Sequence, residues 1–153
     1  MTDNAPLRIV TIEKLTQYEA EAVMLFGHEI LDAFMQDLNT KSSDNTSPLI
    51  IGVVDDNNAK LVAGAFVYTQ PALHTLSIKQ LIIPPNLRGR GLAGKLLYRI
   101  EQLAKKRDVT CIRTTAGFGC KDHRRMYLKL SFIDIPQDQI EEQQPYLMQR
   151  QID

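Results

Sequence analysis

Three glycines and three basic side chains lie close together in the middle of the chain, in the segment Arg88–Lys95. Glycines let the backbone curve tightly and approach a ligand without interference from a Cβ atom. An amphipathic helix is predicted to begin within this segment. The first turn of a helix has unpaired N–H groups and the positive end of the helix dipole, and it binds phosphate readily. The segment therefore predicts a site for a ligand that carries a pyrophosphate.

The charge distribution supports a polyanionic ligand at the same place. The chain has 18 Lys and Arg residues and 18 Asp and Glu residues, and twelve of the basic residues lie between Arg88 and Lys129. The only acidic residues in that stretch are Glu101, Asp108 and Asp122. A net charge of zero argues against a general binder of nucleic acid or membrane surfaces. A nucleic-acid binder that uses only the basic stretch stays open, although the stretch lacks the interleaved aromatics of a base-stacking platform.

Two known phosphate-binding motifs compete for these residues. Gly89, Gly94 and Lys95 match most of the P-loop pattern, in which a Ser or Thr must follow to hold magnesium. Leu96 follows here, and it belongs to the apolar stripe of the predicted helix. We therefore keep a P-loop nucleotide-binding protein as an alternative, ranked below the function that the second motif implies.

The second motif is a family resemblance. The residues Arg88–Ala93 resemble the R-G-x-G-x-[GA] core of the GNAT superfamily of acetyl-CoA-dependent N-acyltransferases. Met126–Phe132 is similar to the family's L-Y-x-K-L-G-F, with Ser131 in place of the glycine. Two further departures are Asn86, where the family has Gln or Arg, and Cys120, where it often has Asn. The resemblance covers nearly the whole chain.

The resemblance implies a cosubstrate, acetyl-CoA, and no metal. Backbone groups of Leu81, Ile82 and Ile83 would contact its pantetheine arm. The pyrophosphate would be held by the turn residues Arg88, Gly89, Arg90, Gly91, Leu92, Ala93, Gly94 and Lys95. A primary amine on a small molecule or peptide would attack the thioester directly, and Tyr127 resembles the family's general acid. A catalytically silent acyl-CoA-binding module of the same fold is the alternative.

The general base and the acceptor site are less defined. The predicted strand Thr75–Ile83 contains no carboxylate, and His74 at its start is the candidate base because histidine titrates near neutral pH. His28 and Glu29, between the first two helices, could also line the acceptor site. The resemblance implies an acceptor site between the break that separates the first two helices and the loop that joins the last two strands. Asp138, Glu141 and Glu142 fall in that loop and would favour a cationic amine.

The pattern of apolar residues predicts the elements that must position these residues. Strands are expected at Leu7–Ile12, Leu49–Val54, Leu61–Tyr68, Thr75–Ile83, Val109–Thr114, Phe132–Ile135 and Tyr146–Ile152. Helices are expected at Lys14–Phe26, Glu29–Leu38, Gly91–Arg107 and Cys120–Leu130. Polar or flexible connections are expected at Asn39–Pro48, Ala116–Gly119 and Gln137–Gln144. Strands joined by tight turns should be antiparallel, and strands joined through a helix should be parallel.

These elements predict an α/β (α+β) protein. The resemblance implies the GNAT fold, with a mixed, mostly antiparallel sheet of six to seven strands and about four helices on both faces. No linker divides the chain, so residues 1–153 are expected to form a single acyltransferase domain. The length of 153 residues is enough for one hydrophobic core.

The remaining composition gives expectations about environment. Two cysteines, Cys111 and Cys120, are too few for a disulfide framework. Cys120 and His123 have the spacing of two zinc ligands, but only His28 and His74 remain as further histidines, so no metal site is expected. No signal peptide or membrane span is evident, and we expect a cytoplasmic protein without nucleic-acid or membrane partners. The family resemblance suggests a homodimer.

Overall fold

Seven strands and four helices occur in the part of the chain that the computed structural model describes, which is residues 6–32, 34, 48–70, 73–114, 121–135 and 148–152. The strands are β1 (Leu7–Ile12), β2 (Leu49–Asp55), β3 (Lys60–Gln70), β4 (Thr75–Ile82), β5 (Cys111–Thr114), β6 (Ile133–Asp134) and β7 (Met148–Gln151). The helices are α1 (Glu19–Phe26), α2 (described at residues 29–32 and 34), α3 (Leu92–Lys106) and α4 (Lys121–Lys129). The predicted order of elements is confirmed. The predicted connections Ala116–Gly119 and Gln137–Gln144, and all of Asn39–Pro48 except its last residue, lie outside the described residues.

The strands form one sheet in the order β1-β2-β3-β4-β5-β7-β6. Only the β4–β5 pair is parallel, and the other neighbouring pairs are antiparallel. The chain passes from β4 to β5 through α3, so this pair follows the rule that a helical crossover joins parallel strands. The predicted fold class, a mixed and mostly antiparallel sheet, is confirmed.

The direction of β1 relative to β2 was predicted wrongly. Because helices separate these strands, the sequence rule makes them parallel, but Leu7 pairs with Asp55 and Ile12 with Ile50 in an antiparallel ladder. The connection contains two helical segments rather than one. Since Ile50 near the start of β2 lies beside Ile12 at the end of β1, β2 begins at the end of the sheet where β1 finishes and runs back along it.

The first helix begins later than predicted, at Glu19 rather than Lys14. Leu15 and Tyr18 are buried, and the backbone N–H of Tyr18 donates to the Leu15 carbonyl in a turn that precedes the helix. Burial of these two apolar side chains therefore determines the conformation of a stretch whose spacing also suits a helix.

Helices cover both faces of the sheet and create two apolar clusters. On one face the stripe of α3 packs against the strands in the larger cluster, which includes Leu96, Ile100 and Ile112. On the other face α1 packs on β3 and β4, and its Phe26 joins Phe34 and Phe66 in the smaller cluster. Arg99 of α3 also reaches the edge strand, where its Nη2 donates to the Ile9 carbonyl at 3.4 Å.

We expect Leu96→Ala to destabilise the protein by about 2–5 kcal/mol, because Leu96 is fully buried and its loss leaves a cavity. Gln102→Ala is the matched control, since Gln102 is exposed on the same helix and its truncation should change stability by less than about 0.5 kcal/mol. Urea unfolding measures both. Equal effects of the two substitutions would contradict the packing of α3.

Candidate functional site

Among the described residues, β4 pairs further along its length with one neighbouring strand than with the other. Its parallel pairing with β5 is described as far as Ile78 and Thr114, whereas its pairing with β3 continues to Ile82, opposite Gly64. The β5-facing edge of the last four residues of β4 therefore has no neighbouring strand within the described part of the chain. Backbone N–H and C=O groups on such an edge need partners, and an extended ligand can supply them.

A bulge in β4 determines which of its side chains point to the α3 face of the sheet and which point to the α1 face. Ile78 is opposite Val67 and Gln80 is opposite Phe66, so Lys79 is an extra residue in the strand. Because of it, Ile78 and Leu81 both point into the larger cluster although they are three residues apart. Beyond the bulge, Ile82 packs against the smaller cluster on the α1 face.

The glycine-rich turn, Arg88–Gly91, follows the end of β4 after five residues. A short 3-10 turn, Pro85–Leu87, leads from β4 into it, and the Nε of Arg88 donates to the Ile83 carbonyl at 3.0 Å. Gly89 and Gly91 have φ angles of 81° and 72°, in the left-handed region that favours glycine. Gly91 is the N-cap of α3, and the helix's first backbone hydrogen bond runs from the Lys95 N–H to the Gly91 carbonyl at 3.2 Å. The amides of Leu92, Ala93 and Gly94 therefore have no acceptor within the helix.

The glycines of this turn face open space. A Cβ atom added to Gly89, Gly91 or Gly94 would meet no atom within 4 Å. The absence of side chains here is therefore unrelated to packing within the protein. It leaves room for a ligand to approach the backbone and the free amides at the start of α3.

A cleft of about 290 Å³ joins the end of β4 to this turn. Its lining residues come from three elements: Leu81, Ile83, Leu87, Arg88, Gly89, Gly91, Leu92, Ala93 and Met126. The apolar residues line the part near β4 and α4, and the glycines and Arg88 line the part at the start of α3. An apolar chain that ends in a phosphate group matches this gradient of polarity.

Not every residue singled out in the sequence reaches the cleft. Ile82 points to the opposite face of the sheet, and Arg90 is half-buried outside the lining. Gly94 and Lys95 line a neighbouring shallow groove with Tyr98 and Arg99. His74 is exposed at the other end of β4, roughly 26 Å along the strand from Ile82. The geometry thus does not bring His74 to the cleft.

Tyr127 lies directly behind the cleft. Its neighbour Met126 is part of the lining, whereas Tyr127 is only 2% exposed and packs edge-on against Phe132, with ring centroids 5.0 Å apart. Burial raises the pKa of Tyr127 to about 12, and a hydrogen bond with the Thr114 side chain acts in the opposite direction. The phenol therefore stays protonated throughout the neutral range. Its bond to Thr114 places it at the end of the described part of β5.

The sequence analysis missed two residues of the cleft, Leu87 and Met126. Leu87 could have been found as the single apolar residue between the two prolines and Arg88. Met126 could have been found because it immediately precedes Tyr127 in the second motif. Among the described residues, no group of three or more His, Cys, Asp or Glu side chains could hold a metal ion, and no helix has the length and apolarity to cross a membrane.

The raised pKa of Tyr127 predicts a loss of stability in alkali. The unfolded chain ionises Tyr127 near pH 10, but the folded protein keeps the proton until about pH 12. The contribution of Tyr127 to the free energy of unfolding, about 2–3 kcal/mol, is therefore fully present below pH 10 and is lost as the pH rises from 10 to 12. Tyr127→Phe should abolish this decrease in the free energy of unfolding, measured by urea unfolding between pH 10 and 12. Tyr98→Phe, at a ring 62% exposed to solvent, is the control, and an equal change in both variants would contradict the assignment.

Comparison with known proteins agrees with this architecture. The sequence profile described as the acetyltransferase (GNAT) family matches residues 13–132. No curated protein matches the chain by sequence. A GNAT-family acetyltransferase from Staphylococcus aureus Mu50 superposes with a TM-score of 0.73 at 14% identity, covering 95% of this chain and 100% of its own.

Two further solved structures share the fold. An acetyltransferase from Streptococcus agalactiae 2603 has a TM-score of 0.72 at 18% identity, with 94% of this chain and 96% of that chain covered. The PaiA N-acetyltransferase from Thermoplasma acidophilum, solved in complex with coenzyme A, has a TM-score of 0.61 at 14% identity, with 90% and 77% covered. The profile match over most of the chain, with which the sheet order and the glycine-rich start of α3 agree, shows that this chain belongs to the GNAT acetyltransferase family.

Proposed function

We propose that this protein is an N-acetyltransferase that moves the acetyl group of acetyl-CoA to a primary amine. The observation that carries the proposal is the cleft, in which a strand edge without a neighbour among the described residues runs into a glycine turn with free helix amides. The family uses CoA thioesters, and the cleft's order of apolar and phosphate-binding surfaces suits such a molecule. We take residues 1–153 as one acyltransferase domain.

The binding roles follow from the chemistry of the lining. The unpaired edge of β4 near Leu81–Ile83 would hold the amides of the pantetheine arm by backbone hydrogen bonds, as a further strand would. The amides of Leu92, Ala93 and Gly94, with the turn at Gly89 and Gly91, would bind the pyrophosphate. Arg88, Arg90 and Lys95 would add positive charge around it. Donors that are fixed before the ligand arrives need little reorganisation.

Bound acetyl-CoA would supply an acetyl group that its thioester activates for attack. The amine nitrogen forms a bond to the acetyl carbon, the carbon–sulfur bond breaks, and the amine's proton passes to solvent. Tyr127 would serve as the acid that meets the departing sulfur. An aliphatic thiol has a pKa of about 8.5, so a phenol near 12 would stabilise the thiolate mainly by donating a hydrogen bond.

None of the described residues that line the cleft carries a carboxylate or imidazole that could act as the base. His28 and Glu29, at the break between α1 and α2, are exposed and could contact an acceptor on that side of the sheet. The proposed reaction therefore relies on the fraction of the amine that is already neutral. Its rate should rise with pH until the acceptor amine is fully deprotonated.

A second candidate is a GNAT-fold module that binds acyl-CoA without turning it over. Two observations favour it: the described lining residues include no base, and the Tyr127 ring is buried behind Met126. Thiol release from acetyl-CoA over a broad amine panel distinguishes the two functions. Tight binding of acetyl-CoA without thiol release with any amine would favour the module.

Gly89→Glu should weaken coenzyme A binding by roughly ten-fold or more. The substitution places bulk and negative charge in the open space of the turn, at a φ angle that only glycine adopts freely. Isothermal titration of the purified protein measures the effect. Gln17→Glu adds the same charge at an exposed turn before α1 and should leave the affinity unchanged. Unchanged affinity in Gly89→Glu, with normal melting behaviour, would argue against the cofactor assignment.

Tyr127→Phe should lower kcat about ten-fold or more and leave coenzyme A affinity nearly unchanged, because one acid contributes at least that much to proton transfer or hydrogen bonding at the sulfur. Steady-state thiol release with the best amine of the panel measures kcat. A Tyr127→Phe variant with full turnover would show that solvent or another group serves as the acid.

A further inference from the structure

Arg113 lies one residue before the end of the described β4–β5 ladder, and it faces away from the cleft. It is the third residue of β5, paired with Ser77 of β4 and Gln149 of β7. Its neighbours Ile112 and Thr114 point to the α3 face, where Ile112 joins the larger cluster and Thr114 bonds Tyr127. Since side chains alternate along a strand, Arg113 and Cys111 point to the face that carries α1.

The Arg113 guanidinium is incompletely satisfied. Its Nε is buried, and within the described part of the chain it has no hydrogen-bond partner. Of its polar neighbours, Ser77 Oγ donates to Gln70 Oε1 at 2.9 Å. The Cys111 thiol lies 3.7 Å from Gln149 Oε1 and also interacts with the Arg113 side chain, which leaves the Nε without an acceptor. A buried N–H without an acceptor is costly, and a bound ligand that supplies the acceptor removes the cost.

Lys79 brings a second positive charge to the same face. It is the bulged residue of β4, two positions beyond Ser77, and its Nζ lies 6.0 Å from the centroid of the Phe66 ring. Phe66 belongs to the smaller cluster under α1. Lys79 is therefore roughly 7 Å along the sheet from the Ser77–Arg113 pair, and both cations lie beside the end of the described β4–β5 ladder.

The position of these charges relative to the cleft decides what they could bind. The cleft lies on the α3 and α4 side of the sheet, so the proposed acyl donor would occupy that side. An amine that attacks the donor must then approach from the α1 side, past Lys79 and Arg113. The planar guanidinium binds carboxylate or phosphate oxygens in pairs.

We propose that the acceptor amine also carries an anionic group, a carboxylate or a phosphate, which Arg113 binds with the help of Lys79. This inference rests on the proposed acetyltransferase function and specifies its substrate class. It differs from the cationic acceptor predicted from Asp138, Glu141 and Glu142, which lie outside the described residues. A zwitterionic acceptor presents its amine to the thioester while its anion stays at Arg113.

The test is a panel of matched amines at saturating acetyl-CoA, with thiol release as the readout. Amino acids are compared with their amides, aminoalkyl phosphates with the corresponding amino alcohols, and diamines complete the set. We expect the best anionic amine to exceed its neutral partner at least ten-fold in kcat/KM, and the better of the carboxylate and phosphate series identifies the anion. A preference for neutral amines or diamines would overturn the inference.

Variants connect the preference to Arg113. Arg113→Met should raise KM for the anionic amine at least ten-fold and leave its neutral partner unchanged, so the preference disappears. Arg113→Lys keeps the charge and should retain part of the preference. Lys60→Met, which removes a charge at the exposed first residue of β3, is the control and should behave as wild type. A preference that survives in a folded Arg113→Met variant would also overturn the inference.

Binding supplies a readout that does not need turnover. The N-acetylated forms of each matched pair are titrated into the protein with coenzyme A bound, and anionic members should bind at least ten-fold tighter than neutral ones. Equal binding within every pair would overturn the inference. Failure of coenzyme A itself to bind would overturn the proposed function together with the inference. Acetyl transfer to neutral or cationic amines alone would leave the proposed function standing.

Discussion

The pairing of β4 with β3 as far as Ile82 is the constraint on which the rest of the site depends. Among the described residues, β4 has a neighbour on its other side only as far as Ile78, where its ladder with Thr114 of β5 ends. Because β3 continues to pair with β4, the last residues of β4 are held in place beside the glycine-rich turn. The end of β4, the start of α3 and the face of α4 then meet around one cleft, with apolar surface at one end and the glycines and Arg88 at the other.

Much of this arrangement could be predicted from local sequence, for physical reasons. The turn Arg88–Lys95 was identified because positive φ angles and free helix amides require glycines at fixed positions, and Gly89 and Gly91 have those angles. The stripe of α3 was identified because burial on one helix face imposes its period, and Leu96 and Ile100 are fully buried. The fold class followed from the order of elements and from the family resemblance.

Other features depend on contacts between distant residues and could not be predicted in this way. The antiparallel pairing of β2 with β1 is a contact between two strands that the number of helices between them in sequence does not decide. The exclusion of His74 from the cleft depends on the length of β4, because a residue adjacent to a strand in sequence can be at its far end in space. Arg113 carried no motif, and only its pairing beside Ser77 and its buried Nε distinguish it from the other basic residues.

The extra residue at Lys79 makes β4 tolerant of a length change at one place and intolerant of it at the next. Removing Lys79 would leave Gln80 opposite Phe66 and Leu81 opposite Ala65, so the faces of the end of the strand would not change. A residue inserted between Gln80 and Leu81 would instead turn Leu81 toward α1 and Ile82 toward the cleft. We therefore expect relatives of this protein to vary in length at the bulge and not in the residues between it and the proline pair.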